Sequence, residues 1–440
     1  MDTPMSYLRF FLTYPFRIGI LHGKRTNTTS MESAKTKNGA CGWPQRETPC
    51  FVLDKERQLS EVSSLKEAAR AYWGNTIIAY SVKTNSLPYL AKLMNGCGVY
   101  AEVVSEDEYE LVTGCGYDSA HIVCNGPIKS AEFTARVLQG GGILNLDSHA
   151  ELHDVCRYAE EHAGTPVPVC LRVNVDIERE FPGESKAGEQ GSRFGFCMEN
   201  NELASAIECL GRQPNICISG LHLHVSTSTR RVAVYEWLAR LFAELVRRHR
   251  LTGIRYFDIG GGFYGGIPGK PGWHDYLQAV GKALREEGYT PETLTLVVEP
   301  GVSMLAGAFS YYMSVKDVKD TNRSRFVVVD GSRVHIDPLF HKTTYFYETS
   351  VEEGRPVHPL QRIVGFTCLE YDNLMALENQ PELRVGDVIR CDKLGAYTLS
   401  LSPLFISYFP AVYLREADGT LKCVRKRWTA QEVLQSSILS

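Results

Sequence analysis

The sequence predicts an α/β fold: a closed (β/α)8 barrel of parallel strands, followed by a β-rich C-terminal domain. Three observations lead there. Apolar, β-rich runs alternate with amphipathic helical stretches through the middle of the chain, and strands alternating with helices make parallel βα units. The runs number eight, which is what closes a barrel. After about Gly301 the alternation stops, and short β-rich runs follow one another between turn residues.

The barrel strands are expected at 77–82, 99–104, 121–125, 142–146, 167–175, 216–225, 256–260 and 294–299. The clearest helix is 231–250, where Val234, Trp237, Leu238, Leu241, Phe242 and Leu245 form one apolar stripe. In the second domain 326–329, 363–366, 388–391 and 411–414 read as strands, and 48–53 as one more that pairs with them. The expected division is 1–47 as an extension, 48–70 as a strand and linker joined to the β-domain, 71–310 as the barrel and 311–440 as the β-domain.

Composition bounds the function. The chain has 440 residues, 44% hydrophobic and 22% charged, with a formal net charge of -4. Wholesale disorder is excluded, and no basic field invites nucleic acid. No apolar run reaches the ~18 residues of a membrane span. Thirteen cysteines, without a CxxC pair, read as reduced thiols of a cytoplasmic protein rather than a disulfide framework or zinc module. The first 25 residues carry Arg9, Arg17, Lys24 and Arg25 against Asp2, with Pro15 interrupting the apolar stretch. That is a dispensable extension, with Met31 a second candidate start, or a transit peptide; it is not a secretory signal.

A second regularity concerns chemistry. Polar residues or glycines stand at the C-terminal end of every barrel strand: Lys83, Glu102 with Ser105, Asn125, Asn145 with Asp147, Arg172 with Asn174, His224, Gly260–Gly262, and Glu299. In a barrel these ends share the face that carries active sites. A lysine there can be desolvated, lose its charge and condense with a carbonyl; a surface lysine at a strand end is the plainer reading. Three glycines after a strand let backbone N–H groups approach a phosphate, or simply make a tight turn. GxGxxG and GK[ST] patterns are both absent, so a single phosphate fits better than a nucleotide. His222 and His224 share one strand face, where they could hold a metal, stack on an aromatic ring or sit hydrogen-bonded in the core. Glu299 needs a cationic partner or its pKa rises; a protonated ring nitrogen would serve, and so would Arg172. Together these are the parts that pyridoxal phosphate requires.

The same residues carry a resemblance. Tyr80-Ser81-Val82-Lys83-Thr84-Asn85, Asn145-Leu146-Asp147-Ser148 with Glu151, Leu171-Arg172-Val173-Asn174 and Ser192-Arg193-Phe194-Gly195 occur in order. Gly220-Leu221-His222-Leu223-His224, Asp258–Gly262, Glu299-Pro300-Gly301, Cys368 with Asp372, and Gly395-Ala396-Tyr397 follow. From about Thr48 to Pro410 the chain resembles the fold-type III pyridoxal-phosphate decarboxylases, the diaminopimelate/ornithine/arginine group with an alanine-racemase-like barrel, and is closest in style to diaminopimelate decarboxylases. The resemblance implies that Lys83 is the Schiff-base lysine, His224 stacks on the cofactor and Glu299 meets its ring nitrogen. It puts Gly260, Gly261, Gly262, Thr227 and Tyr397 at the phosphate, and Glu102 and Arg172 along the cofactor. It makes Cys368 the proton donor after carbon dioxide leaves, with Glu370 or Asp372 at the far end of the substrate. It also implies a homodimer whose β-domains deliver the Cys368 segment into the partner's barrel.

Two motifs depart from the pattern. The family's Glu-Pro-Gly-Arg is Glu299-Pro300-Gly301-Val302 here, which removes a common anion-binding arginine, and the cysteine motif reads Cys368-Leu369-Glu370-Tyr371-Asp372. The expected activity is decarboxylation of a diaminopimelate-like or other basic or conjugated amino acid. The rivals are a racemase on the same scaffold, a non-catalytic regulator and, more remotely, a zinc hydrolase built on His222 and His224. No metal is expected.

Overall fold

The computed structural model describes residues 47–438, so the readings on the arginine-bearing start and Met31 lie outside the described residues. Strand β1 (Cys50–Asp54) comes first. Strands β2 (Thr76–Ser81), β3 (Tyr100–Val103), β4 (Ile122–Cys124), β5 (Ile143–Leu146) and β6 (Val167–Asn174) follow, then β7 (Phe196–Cys197), β8 (Ile216–His222), β9 (Tyr256–Asp258) and β10 (Thr295–Val298). Eight of them run parallel in the order β5-β4-β3-β2-β10-β9-β8-β6, and β5 pairs back onto β6, closing the barrel; β7 is appended to β6. Each of the eight expected runs overlaps one observed barrel strand, with β2 starting one residue earlier than expected. These strands are buried on both faces, which is why they read as continuous apolar runs rather than alternating ones.

Helices start where strands end because serines cap them. Ser105 accepts a hydrogen bond from Glu108 N–H at 3.2 Å, Ser130 from Phe133 N–H at 3.1 Å and Ser148 from Glu151 N–H at 3.5 Å. The helix Val232–Arg248 buries the expected stripe of Val234, Leu238, Leu241, Phe242 and Leu245.

The chain leaves the barrel after β10 and builds a second sheet. Its strands are β11 (Phe309–Asp320), β12 (Arg325–Val329), β13 (Phe346–Thr349), β14 (Val357–Val364), β15 (Asn373–Pro381), β16 (Val388–Asp392), β17 (Ala411–Arg415) and β18 (Leu421–Arg425). The main order is β15-β14-β12-β11-β1-β17-β18, with β16 joining β11 to β13. The β1 strand lies inside this sheet, antiparallel to β11 and parallel to β17, with Phe51 opposite Tyr311 on one side and Val412 on the other. Its Cys50, Phe51, Val52 and Leu53 are buried, and each such apolar side chain contributes about 2 kcal/mol.

Residues expected as linker form a helix instead, Lys55–Tyr72. Asp54 caps it by accepting from Arg57 N–H at 3.0 Å, and Val62, Leu65, Ala68 and Ala69 give it a buried face at helical spacing. The helix ties the two sheets together: Gln58 Nε2 donates to Met304 O at 3.0 Å, and Trp73 Nε1, just past its end, donates to Leu294 O at 3.0 Å. Among the described residues no helix is long and apolar enough to cross a membrane.

Candidate active site

Lys83 sits in the single turn Val82–Thr84 that ends β2. The parallel register of β2 and β3 sets Glu102 beside Ser81. Glu102, fully buried, accepts from Ser81 Oγ at 2.6 Å, from Asn125 Nδ2 at 3.0 Å and from Lys83 Nζ at 2.8 and 2.5 Å. A lysine at a strand end could lose its charge on desolvation; here it does not. Burial does act to lower its pKa, but the Glu102 charge, with Glu299 behind it, outweighs burial and raises it. Burial pushes the Glu102 carboxyl up in turn, and the Lys83 charge overcomes that and lowers it.

Behind this pair lies a ladder of amides and carboxyls from neighbouring strand ends. Asn125 Nδ2 also donates to Glu299 Oε1 at 2.6 Å, while Asn145 Nδ2 donates to Asn125 Oδ1 at 2.7 Å and to Asp258 Oδ2 at 2.9 Å. Burial pushes Asp258 up to about 6. Glu299 is raised well above the usual carboxylate range, by burial first and then by the Asp258 and Glu102 charges. Arg172 does not neutralise Glu299: its Nη1 bonds Asp147 Oδ2 at 3.0 Å, and its guanidinium lies 4.6 Å from the Phe194 ring centre. His222 Nε2 is 3.7 Å from Glu299 Oε2, and burial, with the Arg172 charge, drives its pKa down, so the ring is neutral. His222, Asp258 and Glu299 bring ligand atoms within 4.8 Å of one another. His224 stands outside that group, so the fold does not assemble the His-x-His pair that a zinc reading needs.

The glycine turn explains the orientation of His224. Gly261 N–H donates to His224 Nδ1 at 3.1 Å, which leaves the ring proton on Nε2, and burial lowers the ring pKa to about 3. A Cβ on Gly260 would lie 2.4 Å from that Nδ1, and one on Gly261 would lie 2.4 Å from Glu299 O. Gly260 and Gly262 have φ of 69° and 89°, a region that side chains disfavour. Thr227 is buried beside this turn and accepts from Arg230 N–H at 3.1 Å. Tyr397 arrives from the second sheet's side, its N–H donating to Thr84 O at 2.8 Å.

Lys83, Glu102, Arg172, His224, Thr227, Gly261, Gly262, Glu299 and Tyr397 all line one cavity of about 1740 Å³, with Gly260 directly behind His224. Buried polar atoms face it unsatisfied: Thr84 Oγ1, Ser303 Oγ and both nitrogens of His222 have no hydrogen bond. Such a wall suits a polar ligand. A pyridine ring carrying an aldehyde and a phosphate fits it on three counts: Glu299 lacks a full cationic partner, a lysine stands in the wall, and Gly261 and Gly262 border it with backbone free of side chains.

Cys368, Glu370 and Asp372 are not in this cavity. Cys368 and Glu370 are exposed on the β14–β15 connection. Asp372 was expected as a candidate substrate ligand, but it is buried and committed to its own loop. It accepts from Ser332 Oγ at 2.9 Å, Arg333 N–H at 2.8 Å and Thr367 Oγ1 at 2.7 Å. Conversely, Asp258 and Asn125 belong to the site without having been assigned a role; their position at strand ends was the signal.

The comparisons with known proteins agree with this geometry. The family described as "Pyridoxal-dependent decarboxylase, pyridoxal binding domain" matches residues 59–306. Diaminopimelate decarboxylase of Aquifex aeolicus is 27% identical over 398 residues, covering 89% of this chain and 92% of its own. A rice protein named "Probable diaminopimelate decarboxylase, chloroplastic" is 26% identical over 391 residues, covering 86% of this chain and 77% of its own. The crystal structure of diaminopimelate decarboxylase from M. jannaschii in co-complex with L-lysine has the same fold, with TM-score 0.79 at 22% identity over 89% of this chain and 92% of that one. The family match spans more than half the sequence and coincides with the barrel that holds Lys83 and Glu299: this chain belongs to the pyridoxal-phosphate-dependent amino-acid decarboxylases.

Proposed function

We propose that the protein removes the α-carboxylate of a diaminopimelate-like or other basic or conjugated amino acid, in a site completed by a second copy of the chain. The observation that carries this is the shared cavity of Lys83 and Glu299: an amine for the cofactor aldehyde at the mouth, and a buried, proton-bearing carboxyl behind it. The cofactor, when bound, supplies an electron sink for the departing carboxylate.

The residues divide the remaining work. Lys83 holds the aldehyde end once its ammonium has lost a proton, and Glu102 positions that nitrogen through their ion pair. Glu299 offers its proton to the ring nitrogen and keeps the resulting cation paired. The neutral His224 ring, held by Gly261, packs on the ring face, while the glycine turn, Thr227 and Tyr397 receive the phosphate. Arg172, anchored by Asp147, lines the cofactor.

Cys368 acts as the proton donor at the substrate carbon and Glu370 reads the substrate's far end, both from the partner subunit. What supports the dimer is that these residues are exposed and lie outside their own chain's cavity, next to the exposed Tyr371. The relatives named above act on diaminopimelate by name, but the altered cysteine motif favours a different distal group in the substrate. The twelve unpaired cysteines among the described residues support a reducing compartment, and we assign the cytoplasm.

The test is carbon dioxide release from meso-diaminopimelate, L-lysine, L-ornithine, L-arginine and amino acids conjugated through their side chains, with the amine product followed in parallel. Release from one of them with a matching amine is expected. Conversion of an L-amino acid to its D form without carbon dioxide would replace this reading by a racemase.

A further inference from the structure

We propose that Arg230 supplies the positive charge for the phosphate of the bound cofactor, replacing the arginine that the family pattern puts at position 302. The inference rests on reading this cavity as the pyridoxal-phosphate site.

Val302 lines the cavity, so that stretch of wall carries no charge. The turn around it packs backbone to backbone against the glycine turn: a Cβ on Gly265 would lie 1.7 Å from Ser303 O, and one on Gly261 would lie 2.4 Å from Glu299 O. Residue 302 and the glycine turn therefore border the same end of the cavity. Arg230 is fastened to that end. Its Nη1 donates to Phe263 O, the residue after the glycines, at 3.1 Å, and its guanidinium carbon lies 5.0 Å from the Tyr264 ring centre. Its N–H donates to Thr227 Oγ1 at 3.1 Å, and its carbonyl accepts from Tyr276 Oη at 2.7 Å.

Two features separate it from an ordinary wall residue. Its φ is +50°, and among the described residues only Arg230 and Tyr397 line the cavity as non-glycines at positive φ. Such backbone costs free energy and persists where the surroundings impose it, commonly at functional sites. Among the described residues Arg230 also has no carboxylate partner, whereas Arg172 is paired with Asp147 and Arg231 lies 3.8 Å from Glu184. A guanidinium has five N–H donors, and one is used on Phe263, which leaves a planar fork for a phosphate. Lys186 and Arg193 likewise have no acidic partner among the described residues, but both are exposed.

The test compares two aldehydes, pyridoxal 5'-phosphate and pyridoxal, by fluorescence titration of cofactor-stripped protein. Arg230→Ala should weaken pyridoxal phosphate roughly tenfold or more and leave pyridoxal unchanged. Arg230→Asn, which tolerates left-handed backbone better, should do the same, so the loss does not hinge on folding of one variant. Arg230→Ala with Val302→Arg should recover much of the phosphate preference. Equal weakening of both aldehydes, or no change for pyridoxal phosphate, overturns the assignment. Wild-type protein that bound neither aldehyde would instead overturn the reading of the cavity on which it rests.

Discussion

The Lys83 ammonium lies 2.8 Å from Oε1 and 2.5 Å from Oε2 of Glu102, a carboxylate with no solvent exposure. This ion pair keeps the lysine protonated above its ordinary range, although only the neutral amine reacts with an aldehyde. Covalent cofactor uptake should therefore speed up as pH rises through the Lys83 pKa. In Glu102→Gln the largest attraction is gone and burial is opposed mainly by Glu299, so the midpoint should move to lower pH. Absorbance-monitored uptake across a pH series checks this, and an unmoved midpoint would show that Glu102 does not control the amine.

Asp258 makes a stability prediction with a definite sign. Its folded pKa, about 6, lies above the ordinary aspartate value, so the folded state binds the proton more tightly. This group's contribution is fully present below the ordinary aspartate pKa and is lost as pH rises to about 6. Without cofactor, Asp258→Asn should gain stability relative to wild type over that window, on the order of 1–3 kcal/mol. Urea unfolding at several pH values measures the difference, and a difference that is flat with pH would contradict it.

The ion pair of Lys129 and Glu151 is almost wholly buried, at 0% and 1% side-chain exposure. Lys129 also donates to Gly126 O at 2.7 Å, and Glu151 accepts from Asp147 N–H at 2.7 Å and Ser148 N–H at 2.9 Å. Lys129→Met strands a buried charge and should cost about 3–5 kcal/mol. Adding Glu151→Gln keeps those backbone hydrogen bonds without the charge, so the double variant should be more stable than Lys129→Met. Chemical denaturation of the three proteins decides this.

The proposed sharing of sites between two copies of the chain predicts complementation. Lys83→Ala and Cys368→Ala homodimers should each lose activity by about 10³-fold. Unfolded together and refolded, they should recover about a quarter of wild-type turnover, because half of the dimers are mixed and each mixed dimer holds one intact site. No recovery would place both residues in a single-chain site.

Gly261→Ala tests the turn directly. The added methyl meets Glu299 O at 2.4 Å, and overpacking of that kind costs about 1–3 kcal/mol. Cofactor affinity should fall along with thermal stability, since Glu299 and the turn shift together; intact affinity would separate the two.

The barrel was legible because its strands are buried on both faces and its helices carry one apolar stripe, both local patterns. The long β11 strand was not anticipated: its second half carries the exposed Lys316, Asp317, Lys319 and Asp320, so Phe309–Asp320 has no continuous apolar run. The crowd of polar strand ends proved mixed. Lys83, Glu102, Asn125 and Glu299 meet in the site, whereas Ser105 caps a helix. Cap and catalyst look alike in sequence, because both place a hydrogen-bonding residue just past a strand.

By itself the sequence determined the closed barrel, the β-rich second domain, the lysine and the glycine turn, and with them the cofactor's chemistry. These follow from periodicity and from residues adjacent in the chain. Only the tertiary structure decided which charges pair. Register between β2 and β3 gives Glu102 to Lys83, Asp147 takes Arg172 from Glu299, and Asp372 turns inward to hold its loop. Such pairings depend on which strands become neighbours and how deeply each group is buried, and those are properties of the folded chain rather than of any local stretch of it.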